Sequence, residues 1–240
     1  MDSLLRIQRM RADRNTLKIS GTGSTRRVTE MAYTDSFGDI HRLQANTSSA
    51  SPKDTGYHVL PSDAEINWGV WRSGDYSEEI VDAQTGSSTA NPTEDWHYMI
   101  GNEVLGLNEI GGLAGTFNYN YVGGTQLSRM NGDATTVNID PSSRLQVDFN
   151  NNQIYATIHF NSLATARGQG DFAAFYDTSG GINGGINISD TDNIGSGSID
   201  GAFMGENAEG AMTNIEYNYN TETYHGTAAF EKGGQTTIPN

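Results

Sequence analysis

Between Leu113 and Glu231 the chain repeats one pattern: short segments in which apolar and polar residues alternate, separated by brief polar connections. The segments are Leu113–Val122, Arg144–Phe149, Gln153–Phe160, Asp171–Tyr176, Ile182–Ile188, Ser198–Met204, Ala211–Tyr219 and Tyr224–Glu231. A period of two gives a strand one buried face and one wet face. In the third segment Ile154, Ala156, Ile158 and Phe160 oppose Tyr155, Thr157 and His159; in the first, Leu113, Gly115, Phe117, Tyr119 and Tyr121 share a face. Eight consecutive strands with short connections are what an up-and-down barrel needs, and closure removes the exposed edges that recruit other chains. The fold expected is therefore all-β: an eight-stranded antiparallel up-and-down barrel of lipocalin-like shape.

Turn signals punctuate the segments. Gly123-Gly124, Asn131-Gly132, Asn150-Asn151-Asn152, Gly180-Gly181 and Glu209-Gly210 offer residues that tolerate positive φ. Two connections read as longer, Gly123–Ser143 and Ser189–Gly197, and long loops at a barrel mouth are where binding sites gather. Upstream, Ile66–Trp71 and Trp96–Gly101 alternate and are rich in aromatics, forming an N-terminal β extension. The stretches 43–65 and Ser73–Pro92 read as polar loops, and residues 1–30 as a basic leader in which Leu4, Leu5 and Ile7 start at most a short helix. The division expected is 1–60 as a polar, partly flexible leader, 61–110 as flanking strands and loops, and 111–240 as the barrel.

The barrel's inward faces set Phe117, Phe149, Phe160, Phe172 and Phe203 against Ala156, Ala174, Gly184, Gly201, Gly226 and Ala228. Large residues opposite small ones fill an eight-stranded interior, so no cofactor is called for. In the rival reading, a hollow barrel, Tyr119, Phe172 and Phe203 would line a ligand cavity.

Charge narrows the partners. Residues 1–30 carry seven basic and three acidic groups, and the remaining 210 carry seven basic and 26 acidic, a net −19. An acidic body repels phosphate backbones, which argues against nucleic acid and favours cationic partners or divalent ions. The chain has no cysteine, so disulfides, thiolate catalysis and cysteine-bound zinc are excluded. No run of eighteen apolar residues marks a transmembrane helix, and no export signal is visible in these residues.

Chemical motifs are few. Asp190, Asp192 and Asp200 suggest a calcium loop, but an EF-hand needs oxygen ligands where this sequence has Ile194 and Gly201. These three aspartates are the only metal candidates. The five histidines show neither His-x-His nor His-Glu-x-x-His spacing, and His159 and His225 fall on outward faces as surface residues. Trp96-His97-Tyr98-Met99 offers three haem-ligand types in a row, although strand alternation turns Tyr98 away from His97 and Met99. No nucleophile elbow or phosphate loop is present.

The segment Gly201-Ala202-Phe203-Met204-Gly205-Glu206-Asn207-Ala208-Glu209-Gly210 resembles the barrel signature of transferrin-binding protein B and related bacterial surface lipoproteins. The closing segment Tyr224–Glu231 resembles their last strand. Tyr121–Thr125 and Leu145–Phe149 look like the variant found in large secreted proteins with FecR-like regions. The resemblance covers about residues 111–232. It implies a bacterial cell-surface, outer-membrane or extracellular setting. It assigns Gly201, Phe203, Gly205, Ala208, Glu209 and Gly210 structural roles, the glycines permitting the turn and Ala208 and Glu209 capping the barrel end. That family's lipid-anchoring cysteine has no counterpart among these residues. The function expected is a non-catalytic surface or secreted binding module that takes a protein partner through the barrel loops. Two alternatives stay open: a structural terminal module of a larger secreted or adhesin-like protein, and a small-ligand carrier for haem or lipid.

Overall fold

The structure, a computed structural model, describes residues 2–7, 10–11, 17–34, 39–46, 52–82, 85–90, 95–129, 136–176, 185–192 and 194–237. In chain order the first half gives β1 (Asp2–Ile7), β2 (Met10–Arg11), β3 (Lys18–Ser20), β4 (Arg27–Thr34), β5 (Ile40–Ala45), β6 (Lys53–Val59), β7 (Glu65–Trp71), β8 (Tyr76–Asp82), β9 (Gly86–Ala90) and β10 (Trp96–Asn102). The second half gives α1 (Leu107–Ile110), β11 (Thr116–Gly124), β12 (Leu127–Arg129), β13 (Thr136–Val137), β14 (Arg144–Asp148), β15 (Gln153–His159), β16 (Thr165–Asp171), α2 (Phe172–Tyr176), β17 (Ile186–Asp190), β18 (Gly195–Met204), β19 (Gly210–Tyr219) and β20 (Glu222–Gln235).

Strands β11, β14, β15, β16, β17, β18, β19 and β20 pair antiparallel in that order, and β20 returns to β11 to close an eight-stranded barrel. The long β20 also pairs with β12, so β11 and β12 lie end to end along it. Inside, the aromatic rings converge. Phe203 has Phe175 at 5.3 Å between ring centroids and Tyr119, Phe149 and Phe172 each at 5.6 Å. The barrel is filled by side chains at this level, with Phe203 wholly buried at the hub.

The fourth strand differs from the sequence expectation. Of Asp171–Tyr176, read as a strand, Phe172–Tyr176 is a helical turn, and the strand is Thr165–Asp171. The Asp171 carboxylate accepts the Ala174 N–H at 2.8 Å and caps the turn. Phe172 and Phe175, three apart, then both bury. β16 carries almost no apolar signal because its inward face is Ala166, Gly168 and Gly170. A side chain at Gly170 would meet Ile186 at 2.8 Å, so the neighbouring strand occupies that space. β17 begins at Ile186, and residues 182–184 of the expected strand, Gly184 included, lie outside the described residues.

The first half forms two five-stranded sheets. The inner one has the order β2-β1-β10-β7-β6 and the outer one β3-β4-β5-β8-β9. The two aromatic strands of the sequence are β7 and β10, paired in the middle of the inner sheet, with Trp96 opposite Trp71 and Ile100 opposite Asn67. Both are buried on both faces. Trp71, Trp96, Tyr98 and Ile100 face the outer sheet, where they pack with Val28, Met31, Leu43 and Tyr76. The Trp71 indole donates to the Val28 carbonyl at 2.9 Å. The opposite face, with Ile66, Trp68 and Met99, packs on Met204, Met212 and Ala229 of the barrel wall.

Several stretches read as loop or leader are therefore strands. β6 falls within 43–65, β8 and β9 within Ser73–Pro92, and β1 to β4 supply much of residues 1–34. Residues 8–9, 12–16, 35–38 and 47–51 lie outside the described residues. These strands escape a hydrophobic reading because polar side-chain contacts carry part of the pairing. His41 lies 2.7 Å from Glu78, and Arg42 donates to Glu79 at 3.1 Å.

Candidate binding face

The up-and-down path sends alternate connections to opposite ends of the barrel. One end holds α1, the 149–152 turn, α2 and the turn 205–209; the other holds, among the described residues, 125–129, 136–143, 160–164, 191–192, 194 and 220–221.

The first end is occupied by the chain's own packing, and the signature segment is the fastening. Asn207 and Ala208 adopt positive φ, and Gly205 sits at φ 74°. The wholly buried Ala208 offers its carbonyl to the Tyr119 hydroxyl inside the barrel. The Glu209 carboxylate accepts the Ser62 N–H at 2.8 Å, and Ser62 Oγ accepts the Glu206 N–H at 3.3 Å. Ser62 belongs to the β6–β7 turn, so this segment ties the N-terminal sheets to the barrel. A side chain at Gly210 would meet Leu60 of that turn at 2.7 Å. Phe203 is the core hub, while Gly201 faces Phe175, where an added Cβ would sit 2.5 Å from Cζ. Lys232 closes the rim, its ammonium 4.1 Å above the Phe117 ring and donating to the Asn207 carbonyl at 2.7 Å; burial lowers its pKa.

Among the described residues the opposite end is plugged but not covered by another element. Tyr217 packs at a tilt against Phe160, ring centroids 4.5 Å apart, and donates to Asp190 at 3.2 Å. Burial, then the Asp190 charge, pushes the Tyr217 hydroxyl pKa up. Asp190 also accepts the N–H groups of Ile194 (3.0 Å) and Gly195 (2.8 Å). Beside this plug lies a shallow groove of about 400 Å³ lined by Asp140, Ser142, His159, Asn161, Leu163 and Thr165. Ser142 donates through both its hydroxyl (2.6 Å) and its N–H (2.8 Å) to Asp140, which holds that carboxyl below the usual range. His159 Nδ1 lies 2.8 Å from Thr165 Oγ1. On the next connection Ile194 is 51 % exposed, an apolar side chain presented to solvent.

The two connections expected to be long loops are mostly paired. Within Gly123–Ser143, β12 and β13 form a ladder against β20, and Leu127, Val137 and Ile139 enter the barrel core; residues 130–135 lie outside the described residues. Within Ser189–Gly197 the strands extend to Asp190 and from Gly195, leaving a short turn that Asp190 itself organises. The groove was not anticipated. Its one local signal is Asp140-Pro141-Ser142, a turn-forming triplet, and the fold is what brings His159 beside it.

The aspartates do not converge. Asp190 faces the barrel interior with its oxygens engaged, Asp192 is exposed, and Asp200 lies on the outward face opposite Asn214. Among the described residues no three His, Asp or Glu side chains are placed to share a metal ion. His97 is unsuited to hold haem iron: it is buried, and its two ring nitrogens lie 2.8 Å from Thr125 Oγ1 and 2.6 Å from Ser128 Oγ. Burial, reinforced by the charge of Arg72, lowers its pKa to about 3, so the ring is neutral. His225 corrects the surface reading. It points outward from the barrel, but the inner sheet covers that wall and leaves it 3 % exposed. No described helix is long and apolar enough to cross a membrane.

The architecture thus defines a closed eight-stranded β-barrel backed by a two-sheet sandwich. No family model and no curated protein matches the chain. Solved structures to which it is similar include a surface lipoprotein, at 11 % identity and TM-score 0.39, covering 91 % of this chain and 98 % of that one. A transferrin binding protein B from Actinobacillus pleuropneumoniae shares 11 % identity at TM-score 0.35, covering 91 % and 97 %. The N-lobe domain of a lactoferrin binding protein B from Moraxella bovis shares 12 % at TM-score 0.30, covering 95 % and 98 %. These are proteins of the kind that the segment Gly201–Gly210 resembles; at this degree of similarity they assign the chain no activity.

Proposed function

We propose that the chain is a non-catalytic binding module of the bacterial surface or extracellular space, and that it takes a protein partner at the barrel end opposite the one that fastens the N-terminal sheets. The observation that carries this reading is the contrast between the two ends. One is consumed by fastening the N-terminal sheets, while the other presents the Asp140–His159 groove and, on the connection that follows the adjacent strand β17, an exposed Ile194. The interior around Phe203 is filled, which supports a surface-binding role over a carrier role. The surface setting is supported by the likeness of Gly201–Gly210 to barrels of surface lipoproteins. A polar groove and one apolar anchor at the same end fit a protein surface in which a buried side chain is ringed by polar contacts.

The test is affinity capture from host serum and, separately, from the bacterial envelope, with the wild-type chain and an Ile194→Asp, Asp140→Ala variant. Specific capture by the wild type and at least tenfold weaker capture by the variant is the expected result. Equal capture by both moves the site elsewhere. Capture of envelope components alone from both sources favours the structural terminal module. A stoichiometric lipid or haem in the purified protein favours the carrier.

A further inference from the structure

The eight barrel strands close on themselves, the appended β13 is only two residues long, and the two open sheets have four edges between them, of which three are blunted. β2 is two residues long. β3 is three residues long, its register with β4 shifts between Lys18 and Ile19, and Lys18 is paired with Glu30 at 2.6 Å. β6 is broken by a register shift between Lys53 and Gly56 and lies against the barrel, where Asp54 accepts the Gln126 N–H and His58 sits 2.6 Å from Glu231. Short length, lysine, bulges and covering are the devices by which sheets avoid unwanted pairing.

Among the described residues β9 has none of them. It is five residues, Gly86-Ser87-Ser88-Thr89-Ala90, with no charge and no proline. Its register with β8 is unbroken from Asp82–Gly86 to Glu78–Ala90, and it ends the outer sheet. Gly86 and Ser88 are exposed. In a chain of net charge −15 the acids of the neighbouring β8 are engaged: Glu78 lies against His41, Glu79 pairs with Arg42 on the exposed face, and Asp82, opposite Gly86, accepts the Thr85 N–H at 2.9 Å in the turn that leads into β9.

We propose that β9 pairs antiparallel with β9 of a second copy of this chain, joining two outer sheets across a two-fold axis. An isologous contact must be self-complementary, and an uncharged strand meets that condition where a charged one would oppose like charges. Ser88 is the central residue, so a two-fold pairing centred on the strand sets Ser88 against its own counterpart and Gly86 against Ala90. The contact is main-chain pairing along five residues, which makes it a weak, concentration-dependent dimer rather than a permanent one. It lies on the sandwich and goes beyond the partner site at the barrel end.

The experiment is sedimentation velocity on the full chain from about 10 μM to about 0.5 mM, a range that spans weak self-association. The wild type should shift from monomer to dimer. Ser88→Lys and Ser88→Asp should each stay monomeric over the range, with self-association weakened at least tenfold, and an equimolar mixture of the two should recover the dimer. Far-ultraviolet circular dichroism checks that both variants are folded. If either is not, amide exchange of the wild type decides: protection of Gly86–Ala90 must rise with protein concentration. A wild type monomeric throughout, a dimer unaffected by both substitutions, or exchange at β9 independent of concentration overturns the proposal.

Discussion

Replacing Gly201 by alanine tests whether the barrel interior is as full as its aromatic hub indicates. An alanine Cβ there would lie 2.5 Å from Phe175 Cζ and 2.9 Å from Cε2, and closer still to the Met212 carbonyl oxygen. Non-bonded carbons rest at about 3.5–4.0 Å, so the ring must retreat by roughly 1 Å. It has little room to do so, because Phe175 is wholly buried and lies 5.3 Å from Phe203, itself packed on Phe149 and Phe172. Nor can the backbone yield cheaply, since β18 and β19 pair without a break from Gly195–Tyr219 to Met204–Gly210. Overpacking of this kind costs about 1–3 kcal/mol, and the backbone contact places Gly201→Ala near the upper end. For a chain of this size that corresponds to a fall in Tm of roughly 4–10 °C. Gly201→Leu, with three further carbons, should fall further or fail to fold. Gly234→Ala is the control, because nothing lies within 4 Å of its added methyl; it should change stability by less than about 0.5 kcal/mol. Differential scanning calorimetry on the three proteins reads the outcome. A Gly201→Ala protein as stable as Gly234→Ala would refute the filled interior and turn attention to a carrier role.

Three further outcomes follow from the geometry. His97 is held neutral with a pKa near 3 against an ordinary value of 6.5, so the unfolded chain binds the extra proton first. Its contribution is complete above about pH 6.5 and is lost as pH falls toward 3, at up to about 1.4 kcal/mol per pH unit. Urea midpoints between pH 7.5 and 4.5 should therefore fall less steeply in His97→Gln than in the wild type. Glu209→Ala removes the acceptor of the Ser62 N–H and should cost about 1–2 kcal/mol, with faster exchange of the Ser62 amide as its local signature. Tyr119→Phe leaves the buried Ala208 carbonyl without the hydroxyl that meets it and should cost about 1–3 kcal/mol by chemical denaturation.

Where a strand has one buried and one wet face, the sequence shows it. Ile154, Ala156 and Ile158 alternate with half-buried neighbours and mark β15 unmistakably, as Tyr217, Ile215 and Ala211 help to mark β19. β16 is hidden because Gly168 and Gly170 occupy its inward positions and carry no hydrophobic signal. Phe172 and Phe175 mislead in the opposite sense, since two buried aromatics also fit a strand and only the Asp171 cap tips them into a helical turn. β8 is hidden because Glu78 on its inner face is matched by His41 of β5, a partner 37 residues away. The outward direction of His225 is legible; the sheet that lies over it is not, since long-range packing leaves no mark in a local pattern. The same holds for the groove, whose Asp140 and His159 belong to different connections.

β20 has a consequence for how the chain comes into being. This strand of fourteen residues is the last of the described elements, and it supplies the seam to β11, the flank of β19 and the support for β12. During synthesis from the N-terminus, β11 is complete about a hundred residues before its closing partner exists. Until then the growing sheet has two raw edges, and its core aromatics lack their far wall. Closure is a late, long-range event, of the kind that folds slowly and is vulnerable to aggregation along the way. A nascent chain of this design has most need of a chaperone until β20 has been made and has met β11.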